Sequence, residues 1–82
     1  MSIERGQVVL CLAGIDSGEY AVVVDSTEST VTIANGKSRP LERPKTKNLK
    51  HVQITAKRLI ISEMASNRWL RRELNRLQPD HQ

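Results

Sequence analysis

The sequence predicts a mainly β fold of about five short strands, followed by C-terminal helices. Three observations predict it. Residues 6 to 25 hold two valine-rich apolar runs around a turn bounded by Gly14 and Gly18, and glycine-bounded runs of this kind read as paired strands. Residues 30 to 34, Thr-Val-Thr-Ile-Ala, alternate strictly, so Val31 and Ile33 face one side and the threonines the other. Leu70, Leu74 and Leu77 recur at i, i+4 and i+7, the spacing of one helix face.

The elements follow in order. Strand one is expected over 6 to 13 and strand two over 19 to 25. Strand three covers 30 to 34 and ends at Asn35-Gly36, a two-residue hairpin signal because both positions tolerate positive φ. A short fourth strand is then expected over 37 to 42. Pro40 cannot donate a ladder bond, so that strand is read as an edge or a bulge. Pro44 opens a basic loop, Lys45-Thr-Lys-Asn-Leu-Lys50, and His51-Val-Gln-Ile54 forms the fifth strand. Thr55 is placed as the N-cap of a first helix over 56 to 61. Ser66 or Asn67 caps a second, Arg68 to Leu77, with Arg68, Arg71 and Arg72 opposite the leucine face and Trp69 between the two faces. One bent helix over the same span is equally compatible with the pattern. Pro79 stops the helix, and the residues after it are expected to fray.

Composition narrows the function classes. The chain has 82 residues, no phenylalanine, one Trp and one Tyr, so its core must come from Val, Ile and Leu. A domain this short buries only roughly 60% of the surface of its unfolded chain, which leaves little room for the concave pocket that catalysis or a cofactor needs. No nucleophile with a base, no carboxylate pair and no phosphate-cradling glycine loop is present, so the chain is not read as an enzyme and no cofactor is expected. Cys11 is the one cysteine, which allows neither an internal disulfide nor a thiolate metal cluster; it reads as a small buried hydrophobe. His51 and His81 lack a neighbouring acidic ligand pair, so no metal site is expected. No secretory leader is read at the start, where Glu4 and Arg5 interrupt, and no run approaches the ~18 apolar residues of a membrane span. A cytoplasmic, reducing location and no membrane contact are expected.

Charge is unevenly spread. Residues 1 to 36 carry a net charge of minus four, with Arg5 against Glu4, Asp16, Glu19, Asp25 and Glu28. Residues 37 to 50 carry plus five, with Lys37, Arg39, Arg43, Lys45, Lys47 and Lys50 against Glu42. Residues 57 to 76 carry plus four. A mild overall charge of +4 therefore hides a basic second half, and such asymmetry points to a polyanionic partner.

The hairpin over 6 to 25 resembles a KOW motif, the hairpin segment of a small SH3-like barrel. The resemblance sharpens in Ile33-Ala-Asn-Gly-Lys-Ser-Arg-Pro-Leu-Glu-Arg-Pro-Lys45 and in Lys50-His-Val-Gln-Ile-Thr55. Over roughly residues 5 to 57 the chain is similar to bacterial KOW-domain RNA-binding proteins, and through them to the large-subunit ribosomal protein family L-fourteen-e. The resemblance implies an SH3-like barrel over 1 to 55, with a helical extension over 56 to 82 packed on or beside it in one overall domain. It implies binding to structured, ribosomal RNA in a ribosome-associated or translation-related role. Carried over by position, the matching residues are Gly6, Gly14, Gly18, Asn35, Gly36, Arg39, Arg43, Lys45, Lys47, Lys50, His51, Gln53 and Thr55. The glycines, with Asn35, would shape turns, and the basic residues would meet phosphates. The chain departs from the family in one loop. Where the family carries cations around the second glycine, this sequence reads Asp16-Ser17-Gly18-Glu19, an acidic stretch that should repel RNA or serve a protein partner.

The residues assigned to RNA are Lys37, Arg39, Arg43, Lys45, Lys47, Lys50 and His51, with Arg68 and Arg72 from the helix. Arg39 and Arg43 lead, because a guanidinium can grip a phosphate with two parallel hydrogen bonds. Folded RNA is read largely by shape and backbone, and the scarcity of aromatics argues against a single-strand binder. A second reading of a different class makes the chain a protein-interaction module that docks through the barrel or the Trp69 helix.

Overall fold

The computed structural model describes residues 3 to 77. Five strands form one antiparallel sheet: β1 (Gln7–Cys11), β2 (Tyr20–Ser26), β3 (Thr30–Ala34), β4 (Lys45–Asn48) and β5 (Val52–Arg58). Their order is β4-β3-β2-β1-β5, and a 3₁₀ turn, Leu49–His51, joins β4 to β5. The fold is thus mainly β, a small barrel-like domain of five antiparallel strands with one C-terminal helix among the described residues, α1 (Asn67–Leu77).

Consecutive valines in β1 and β2 are explained by burial on both faces of the sheet. Val9, Cys11, Ala21, Val23, Val31, Ile33 and Val52 pack on the inner face of the curved sheet. Val8, Val22 and Ala34 point the other way and are covered by Leu70 and Leu74 of α1. Strands buried on both sides need no alternation of apolar and polar residues. Leu77 packs in the same outer cluster, so the leucine face expected from the spacing is the face that docks.

Two bulges bend the sheet. Val23 pairs with Ile33 and Asp25 with Thr32, so Val24 has no partner on β3. Val9 pairs with Ile54 and Gln7 with Arg58, so Val8 alone faces Thr55, Ala56 and Lys57. Such irregularities increase local twist and help a small sheet curl.

The second half of the chain departs from the expected elements in three places. First, Asn35-Gly36 does not close a two-residue hairpin. That turn needs positive φ at both residues, and among the described residues only glycines have it. Instead the Asn35 side-chain oxygen accepts from the backbone N–H of Lys37 and Arg39, both at 2.9 Å, and opens a longer loop over 35 to 44. Second, the fourth strand is not 37 to 42 but Lys45–Asn48, within the segment expected to be a basic loop. It pairs with β3 from Ile33↔Lys45 to Thr30↔Asn48, and the Thr32 and Thr46 hydroxyls meet at 3.2 Å. Lysines suit an edge strand because charge discourages further pairing.

Third, no helix forms over 56 to 61. β5 runs on through Arg58, and Thr55 is not an N-cap. Its hydroxyl donates to the Val8 carbonyl at 2.7 Å and accepts from Lys57 N–H, so it anchors the β1–β5 bulge. The described residues therefore hold a single α-helix. Ser66 caps it, its hydroxyl accepting from the Trp69 N–H at 3.1 Å. Pro79, read as the helix stop, and His81 lie outside the described residues.

Candidate nucleic-acid interface

The acidic turn after β1 is used inside the molecule. Ser17 N–H bonds to the Gly14 carbonyl and Glu19 N–H to that of Asp16, with Gly14 and Gly18 at φ 81° and 87°. This turn buries Asp16, whose side chain is only 3% exposed. The Asp16 carboxylate receives Arg39 through Nε and a terminal nitrogen, each at 3.1 Å. Lys47 Nζ reaches the same oxygen at 3.3 Å. Burial pushes the Asp16 carboxyl upward, but hydrogen bonds and charge from Arg39 and Lys47 outweigh it and hold the pKa below the usual carboxylate value. Three separate segments meet at this one carboxylate: the turn after β1, the 35–44 loop and β4.

Local structure explains how the two cations arrive. The Asn35 side chain fixes the backbone at Arg39. Lys47 sits opposite Val31 on β4, on the side of the sheet that carries the inner core. Its side chain is 10% exposed and that of Arg39 is 25% exposed. Of the sequence-assigned cations, these two are therefore engaged internally and poorly presented to a ligand.

The others stay at the surface. Lys37, Arg43, Lys45, Lys50 and His51 are exposed, as are Arg68 and Arg72 on α1. Lys45, Lys50 and His51 lie along one edge, from β4 through the 3₁₀ turn. Among the described residues none of these seven makes an ion pair. Glu42, the one acid within 37 to 51, accepts a 2.8 Å hydrogen bond from the Asn67 side chain, which lowers its pKa. Gln53 lies exposed on β5.

The two basic segments, separate in sequence, are joined in space. Asn67, first residue of α1, accepts from Leu41 N–H at 2.7 Å through its side-chain oxygen while its amide nitrogen holds Glu42. Gly36, at φ 78°, packs so closely under α1 that an added Cβ would overlap the Asn67 carbonyl oxygen. Lys37 and Arg71 consequently line one cleft, with Glu19, Tyr20, Asn35, Leu74 and Asn75.

Reading of the sequence missed the pinning role of Asp16, the docking role of Asn67 and the place of Arg71. Nothing in the linear pattern links position 16 to 39 and 47. Arg71 was visible only as one arginine on a solvated helix face. On the helix of the second reading, Leu70 is fully buried and Trp69 is half-buried against the chain's own outer cluster. Cys11 lies in the inner core, and burial pushes its thiol pKa up. Among the described residues no helix is long and apolar enough to cross a membrane. Comparison with protein-family models gives no match, and comparison with curated proteins gives none either.

Proposed function

We propose that the protein is an RNA-binding module that holds folded RNA by its phosphate backbone. The observation that carries this reading is the run of exposed cations over 37 to 51, namely Lys37, Arg43, Lys45, Lys50 and His51, none of which makes an ion pair among the described residues, while Asp16 is paired internally with Arg39 and Lys47. Arg68 and Arg72 extend the charge onto α1. Lysine and arginine bind by neutralising phosphates and releasing counterions, which needs exposed and uncompensated charge. Arg39 and Lys47 act differently in this account. They hold the loop and the edge strand in place so that their neighbours face outward. The resemblance to the KOW and L-fourteen-e proteins over residues 5 to 57 supports RNA as the polyanion, with ribosomal RNA as the first substrate to try.

The test is retention of folded ribosomal RNA by the purified protein on a filter, across a salt series. Each phosphate contact contributes roughly −0.7 to −0.9 to the slope of log affinity against log salt. A slope of several units is expected. Absence of retention at low salt would overturn the reading.

A further inference from the structure

The cleft between α1 and the 35–37 turn carries chemistry that phosphate neutralisation alone does not use. Two cations line it, Lys37 and Arg71, neither ion-paired among the described residues. Tyr20, Leu74 and Asn75 line it as well, an aromatic, an apolar and an amide residue. Glu19 supplies a carboxylate that accepts hydrogen bonds. The cleft is also held in shape. Asn35, buried, fixes the backbone of Lys37, and Gly36 is packed against the start of α1. Tyr20 is held by the outer cluster beneath α1.

We propose that this cleft seats one nucleotide of a bound RNA, with its phosphate between Lys37 and Arg71 and its base against Tyr20. This rests on the RNA-binding reading and adds to it a unit and a place. A cation pair next to an aromatic ring matches a phosphate joined to a π-face, and base–aromatic stacking is tolerant of sequence. Glu19 takes a hydrogen bond from a ribose hydroxyl or a base amino group and disfavours a bare anion by like-charge repulsion. The cleft is partly open, so it suits a nucleotide presented by a longer chain at a loop or bulge, the places where bases of folded RNA are splayed out.

The test is a titration of the full chain, followed by amide chemical shifts, with 5′-AMP and, separately, inorganic phosphate. The expected result is saturable shifts at Tyr20, Lys37, Arg71 and Asn75 with 5′-AMP, and at least tenfold weaker binding of phosphate, roughly the range of one stacked base. Arg71→Ala and Tyr20→Leu should each weaken 5′-AMP about tenfold; the second keeps an apolar side chain in the outer cluster. Equal affinity for phosphate and 5′-AMP would overturn the proposal, leaving a simple anion site. No shift in the cleft would also overturn it. If folded RNA is still retained on filters in that case, the nucleotide pocket fails alone; if retention is also absent, the RNA reading fails with it.

Discussion

Asp16 joins three segments of this molecule that are distant in sequence. One buried carboxylate, with Arg39 and Lys47 upon it, ties a turn, a loop and an edge strand together. Replacing one member of a buried ion group leaves the others uncompensated, and here the partial exposure of Arg39 moderates that cost. Asp16→Asn should therefore lose about 2 kcal/mol in urea unfolding at pH 7. The pH dependence follows from the direction of the shift. The folded-state pKa lies below the unfolded value, so the stabilisation is complete above about pH 4 to 5. It is lost as pH falls through the lowered folded value. The gap between wild type and Asp16→Asn should be flat from pH 7 to about pH 5 and close below that. Equal stability of the two proteins at pH 7 would show that the pin contributes nothing.

At the scale of elements, the decisive joint is between the 35–44 loop and α1. Gly36 permits it twice, by its positive φ and by the absence of a side chain beneath Asn67. Gly36→Ala should cost at least about 2 kcal/mol, and thermal unfolding would show it. A variant as stable as wild type would mean that the joint yields freely. Leu70→Ala, under the sheet, should cost about 2 to 5 kcal/mol. Were α1 instead a free docking element, that substitution would leave thermal stability unchanged. These joints also mark where the sequence stops being legible. β1, β2, β3 and α1 were readable because valine runs, strict alternation and leucine spacing are local signals. β4 was not, because Lys-Thr-Lys-Asn has the composition of a loop; its strand geometry comes from pairing with β3 and from the distant Asp16. Thr55 had the chemistry of a cap, but its hydroxyl found the Val8 carbonyl across the sheet. Asn35-Gly36 had the chemistry of a tight hairpin, but the Asn35 side chain organised a wider loop instead. The basic composition of the candidate interface was evident from the sequence, while the division between pinned and exposed cations depends on one long-range contact.

For the whole molecule, the acidic first half and the basic second half are not two separate surfaces. Part of the acid lies inside and cancels part of the base, and what remains outside near residues 37 to 51 is mostly positive. The central claim is that these remaining cations hold RNA. The most direct measurement is the salt dependence of folded-RNA retention for wild type and for the triple variant Arg43→Ala, Lys45→Ala, Lys50→Ala. All three side chains are exposed and make no ion pair among the described residues, so the fold should persist, with an unchanged urea midpoint as the control. The account predicts a slope shallower by about 2 to 3 and at least about tenfold weaker binding at low salt. Identical slope and affinity in the two proteins would contradict it.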